Sequence, residues 1–256
     1  MSEISLIISL GLSWVPVCIL LVSVIHNADA KRLWKVFGIP SLVLLGAIWF
    51  YSSQVGLPLA SLIGWGVVSG VALTVALDII RLIGVRLGTL PMDMPLNFGL
   101  RATGLIQEVK KIMMARMKEM GVMGMPQELT MFGAAAMMKP VISEVLAAQK
   151  AKGKVMFVGY LWHFLNGITF GLCYTLAVGS GHWLIAFGWG IVVWILMMLV
   201  MPSMMNGAKL TPSIFLTALV AHIVMAFPLI WIPQAVISAE ATKNTLIALM
   251  AKLVGI

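Results

Sequence analysis

Six long apolar runs, at 4–25, 36–51, 59–80, 155–178, 182–201 and 211–232, leave this chain few ways to fold. A helix rising ~1.5 Å per residue needs ~20 apolar residues to cross the hydrocarbon of a bilayer, and inside lipid a helix satisfies its own backbone hydrogen bonds. The sequence is 61% hydrophobic and 10% charged, whereas soluble domains are roughly 45–50% apolar and about 25% charged. Too little polar sequence remains for a separate soluble catalytic domain. The expected fold class is all-α, a polytopic membrane bundle of about six transmembrane helices with cytoplasmic amphipathic helices. The run at 36–51 is the shortest, with Pro40 near its first turn, where a missing N–H matters least.

Charge placement gives the expected sidedness. Threading the runs back and forth puts fifteen of the seventeen Lys and Arg residues on one face, all except Lys243 and Lys252. Basic loops stay in the cytoplasm, so 81–154 is read as cytoplasmic and both termini as external, in the cell's inner (plasma) membrane. The net charge of +8 is then explained by these loops and by anionic headgroups, with no nucleic-acid partner. Membrane lipids are the expected contacts, with other membrane subunits or a homo-oligomer as protein partners. Met1-Ser2-Glu3 lacks the basic start of a secretory signal, so 4–25 is expected to be a retained span. Cys18 and Cys173 both fall in apolar runs and read as small apolar fillers.

The chain divides into two N-terminal spans (1–58), a third span with its following loop (59–104), a Met-rich basic segment (105–154), a three-helix unit (155–237) and an amphipathic tail (238–256). Within the third span Gly66, Gly70, Thr74 and Asp78 recur every four residues, a stripe along which another helix can approach closely. In the basic segment Ile106, Val109, Met113, Met117 and Met120 repeat at helical steps beside charged residues. This predicts a basic amphipathic helix on the inner membrane surface or on a partner. Gly121 to Pro126 is expected to end it, and a second helix is expected to open at Pro140 with Val141, Val145 and Leu146 on one side. In the tail, Ser238 is expected to cap a helix carrying Leu246, Leu249, Met250 and Leu253 on one face.

Chemistry is sparse. His163 and His222 lie on spans running in the same direction, roughly 12 to 16 Å from the cytoplasmic ends at ~1.5 Å per residue. A histidine at that depth usually faces the bundle interior and has a partner. Gly159, His163, Gly167 and Gly171 form a small polar stripe that could admit a flat cofactor or a helix bringing a ligand. Four readings are open for the pair: hydrogen bonds that tie helices together, ligation of a haem (haem b) or a metal such as copper, a relay for protons or solute, or no interaction at all. Asp93, between Pro91 and Pro95, is a turn residue or a third metal ligand if the loop re-enters the bundle. Asp78 and Arg81 share a helix face, which favours a local ion pair. Nine of the twenty methionines fall between Met113 and Met138, which suits either Cu(I) or apolar packing, and the helical spacing favours packing. Nucleotide, nucleophile and zinc-protease motifs are absent, so the chain is not expected to be an enzyme by itself.

Leu-Pro-Met-Asp-Met-Pro at 90–95, Trp162-His163-Phe-Leu-Asn-Gly167 continuing to Gly171, Trp194-Ile-Leu-Met-Met198 and the stretch from Thr217 to His222 resemble, in that order, a family of small uncharacterised bacterial inner-membrane proteins with a domain of unknown function. The likeness covers 59–104 and 155–231. It implies a shared membrane fold and carries no activity. The two N-terminal spans, the insert at 105–154 and Ala226 in place of glycine depart from the pattern. These additions look like surfaces for a partner and point to an accessory subunit, in which a haem or metal held by His163 and His222, with Asp93 as a further ligand, would serve electron transfer or metal handling. A structural docking platform and a small-solute or ion transporter with an Asp78–His163–His222 relay are the alternatives.

Overall fold

The computed structural model describes residues 3–91, 93–119, 131–204 and 209–255. These form an all-α bundle, and six helices are long and apolar enough to cross a membrane. The chain is a multi-pass membrane protein.

The first span is α1 (Glu3–Ile25). The second, Ala30–Gln54, starts earlier than the apolar run because Asp29 caps it, accepting from the backbone N–H groups of Lys31 and Arg32. It comprises α2 (Ala30–Leu33), a π-helical turn (Trp34–Gly38) and α3 (Ile39–Gln54). Pro40 has no N–H to give to the carbonyl four residues back, and the wider π turn takes up that mismatch. Trp34 from this turn sets its ring edge-on to Trp162 at 5.7 Å, which pins the second span to the bundle.

The third span is α4 (Pro58–Arg86), followed by α5 (Met94–Thr103), α6 (Leu105–Glu119) and α7 (Met131–Ala148). The fourth and fifth spans are α8 (Lys152–Ala177) and α9 (Trp183–Met204). The last divides at Met225 into α10 (Pro212–Val224) and α11 (Ala226–Val236), where Pro228 cannot donate to the carbonyl of Val224. Two short helices, α12 (Ala239–Thr242) and α13 (Leu246–Leu253), have separate caps, Ser238 and Thr245, instead of forming the single capped tail helix the sequence predicts.

The core of the bundle is the α4–α8 seam. A Cβ on Gly66 would lie 3.0 Å from Leu172 Cα, and one on Gly70 would lie 2.8 Å from the Gly167 carbonyl oxygen. From the facing helix, a Cβ on Gly171 would come within 2.6 Å of Gly70 Cα. Only glycine on both sides allows this approach. Thr175 fastens the seam by donating to the Leu62 carbonyl at 2.8 Å. The stripe predicted to admit a cofactor or a helix thus holds helix α4, and its Gly159 end is closed by the backbone of Pro95 and Gly99 in α5.

Two stretches between the third and fourth spans, the loop after α4 and the basic segment, differ from expectation. α5 docks against α8 with Pro95, Asn97, Phe98, Leu100 and Arg101 buried, so this stretch belongs to the bundle. The second helix opens at Met131, well before Pro140, which stands inside it. The apolar stripe of α6 is covered within the chain: Ile106, Val109, Met113 and Met117 are buried in one cluster with Ala134, Ala135, Met138, Val141, Ile142, Val145 and Leu146 of α7. Met198 and Met201 of α9 and Ile214 of α10 join the same cluster, which seats the α6–α7 hairpin on the ends of the spans. Met120 and the predicted break at 121–126 lie outside the described residues.

Candidate functional site

Close approach at the glycine seam brings ionisable groups together inside the bundle. Asp78 is the next step after Gly66, Gly70 and Thr74 on the α4 stripe, so it meets α8 where His163 continues the facing stripe. His163 Nε2 lies 2.8 Å from Asp78 Oδ1. Because a carboxylate only accepts, the imidazole is the donor and carries its proton on Nε2. Arg81, one turn along α4, donates from Nε to the same oxygen at 2.8 Å.

The guanidinium is the hub. Its NH1 pairs with the Asp93 carboxylate, and its NH2 donates to the Tyr160 hydroxyl at 3.3 Å while the cation stands 5.9 Å from the Tyr160 ring centroid. Arg81 is only 3% exposed, yet it has two carboxylates as partners, which is how a buried charge becomes tolerable. Asp93 reaches it because α4 ends at Arg86 and the loop through Gly88, at φ +70, turns back before Pro95 opens α5. Three segments therefore share one network: α4, the α4–α5 loop and α8.

Aromatic rings wall the network. Phe98 lies 5.9 Å from the His163 ring and 5.8 Å from Trp162. One turn beyond His163, Asn166 is buried, and neither its Oδ1 nor its Nδ2 has a protein partner among the described residues. His163 Nδ1 likewise makes no hydrogen bond among them. The imidazole thus has one ring nitrogen on the Asp78 carboxylate and the other facing no protein partner among the described residues.

His222 stands apart from this network. Its helix, α10, packs on α4 and α9, so α4 lies between the two histidines' helices. Its Nδ1 donates to the Ala218 carbonyl at 2.7 Å, and the ring is 2% exposed. The structure thus brings Asp93 and His163 into one network through Arg81 and Asp78, and places His222 elsewhere. Among the described residues no group of three or more His, Cys, Asp or Glu side chains could hold a metal ion. The buried methionines Met113, Met117, Met138, Met198 and Met201 share an apolar cluster.

Sequence reasoning overlooked Arg81 as the centre and Tyr160 as its third partner beside Asp78 and Asp93. The available signal was an arginine directly after an apolar run, with an aspartate one turn before it. The chain matches no family model, no curated protein and no solved structure.

Proposed function

We propose that this protein moves protons, or a small solute or ion coupled to protons, through the α4–α8 network of an inner-membrane bundle. The observation that carries this reading is Asp78 Oδ1 shared at 2.8 Å by His163 and Arg81 inside helices long enough to span a bilayer. Ionisable groups at that location are costly and usually serve transport or proton relay. His163 takes a proton on Nδ1, Asp78 stabilises the resulting imidazolium, and Arg81 keeps Asp78 from holding the proton permanently by competing for the same oxygen. Asn166 offers an unpaired amide one turn further along α8, where water or a polar solute would be met. His222, assigned to the relay in the transporter reading of the sequence, has no hydrogen bond or ion pair to this network and is left out of the mechanism.

Purified protein in pyranine-loaded liposomes, with a potassium diffusion potential set by valinomycin, tests the reading. Wild type should acidify the lumen faster than protein-free vesicles. Asp78→Asn and His163→Gln should fall to the protein-free rate. Equal rates for wild type and empty vesicles across a panel of sodium, potassium, phosphate and amino-acid gradients would refute it and favour a structural subunit docking through the α6–α7 hairpin.

A haem or copper centre held by His163 and His222 together fits this arrangement poorly, because α4 stands between their helices and the His163 stripe is filled by backbone. One observation keeps a metal reading in play. The Nδ1–H of His222 is held by a carbonyl and its Nε2 has no hydrogen-bond partner among the described residues, the orientation that supporting bonds give to metal-ligating imidazoles. A haem Soret band or stoichiometric copper, lost in His222→Ala, would establish that alternative.

A further inference from the structure

A second buried arginine has no such carboxylates. Arg101 of α5 is 4% exposed; its Nε donates to Asn97 Oδ1 at 3.0 Å and its NH1 to the Ser23 carbonyl at 3.1 Å. A guanidinium has five N–H bonds, so three remain, and no acid forms an ion pair with it among the described residues. Leaving a cation buried without a counter-charge is expensive.

Arg101 lines a cavity of about 320 Å³ at the mouth of the bundle, where α1 ends and α6 begins. Ser23, Asn27, Asp29, Lys31 and Gln107 line it as well. Asn27 adopts a left-handed conformation, φ 52, that presents its Oδ1 to Lys110 Nζ at 2.9 Å and to Gln107 Nε2 at 3.3 Å, which holds a second cation at the rim. Asp29, the one acidic side chain among the described lining residues, accepts on Oδ1 from the backbone N–H groups of Lys31 and Arg32, and its single negative charge stands against Arg101, Lys31 and Lys110. Burial, and then the nearby Arg101 charge, hold the Lys110 ammonium below its ordinary pKa. Burial likewise lowers Arg101.

We infer that this cavity binds a phosphate group, with Arg101 at its base and Lys110 and Lys31 at its rim. Arg101 presents a planar fork that matches phosphate oxygens, and the rim lysines add charge. Its position at the end of a span is the depth of lipid headgroups, so the group is carried either by an anionic phospholipid of that leaflet or by a soluble phosphate.

Native mass spectrometry and thermal unfolding of the full chain would decide, using phosphatidylglycerol, phosphatidylcholine and inorganic phosphate as probes. Retention of phosphatidylglycerol over phosphatidylcholine with a raised unfolding temperature, undiminished by inorganic phosphate, assigns a lipid headgroup. Stabilisation by inorganic phosphate, with displacement of the lipid, assigns a soluble phosphate. Either effect should be lost in Arg101→Gln and weakened in the exposed-rim variant Lys31→Gln and in Lys110→Gln, which keep the fold if Arg101→Gln does not. No response of wild type to either anionic probe, or an unchanged response in both lysine variants, would overturn the inference.

Discussion

Replacing Gly171 with alanine tests the seam on which the site depends. The added Cβ would lie 2.6 Å from Gly70 Cα, whereas ordinary contact begins at 3.4 Å, so the helices must part by roughly 0.8 Å. The obstacle is backbone on α4, which cannot rotate out of the way as a side chain would. Overpacking of this kind costs about 1–3 kcal/mol. The same separation would stretch the 2.8 Å His163–Asp78 bond beyond about 3.5 Å, where it ceases to be a hydrogen bond. Gly11→Ala and Gly46→Ala are the controls: both lie in spans, and a Cβ on either meets nothing within 4 Å. Helix propensity alone would make each control neutral or more stable by up to about 1 kcal/mol. Reversible unfolding in mixed detergent–SDS micelles, or steric trapping in bicelles, gives the free energies directly. If Gly171→Ala matches Gly11→Ala, the helices do not approach through these glycines and the argument for the site fails.

Arg81→Ala should cost about 3–5 kcal/mol in the same unfolding assay, because it strands two carboxylates beside a buried imidazole, and Arg81→Lys should recover only part since an ammonium lacks the fork that reaches Asp78, Asp93 and Tyr160 together. Met117→Ala, at a side chain 1% exposed between α6 and α7, should cost about 2–5 kcal/mol and open the hairpin to limited proteolysis, while Met114→Ala, 54% exposed, should change neither. In anion-free detergent, wild type should gain stability as pH climbs from below the depressed Lys110 value toward the ordinary lysine range, since the folded state disfavours the charged form; Lys110→Gln should flatten that rise in a pH series of unfolding temperatures.

Much of the architecture was legible because lipid imposes simple rules. Apolar length marked all six spans, and four-residue spacing of Gly66, Gly70, Thr74 and Asp78 announced the face on which α8 packs. The pairing of Asp78 with Arg81 follows from helix geometry alone. What sequence could not rank was which helix each polar face would meet. Depth placed His163 and His222 at similar levels, but rotation about the helix axes and the insertion of α4 between them are settled by packing. The stretch after the third span reads as a loop in the sequence, yet Arg101 and Asn97 satisfy each other in part and so let a short polar helix, α5, pack against the bundle. The α6 stripe was read correctly as amphipathic, but its covering is α7 of the same chain, a long-range contact that no local pattern encodes.

The proposed relay through Asp78 and His163 can be tested without knowing any solute. Proteoliposomes adsorbed on a solid-supported membrane and given a pH jump report charge displaced within the protein as a transient current. The account predicts a transient in wild type that disappears in both Asp78→Asn and His163→Gln and persists in His222→Ala. A wild-type trace identical to that of empty liposomes, or one that survives both substitutions, would contradict it.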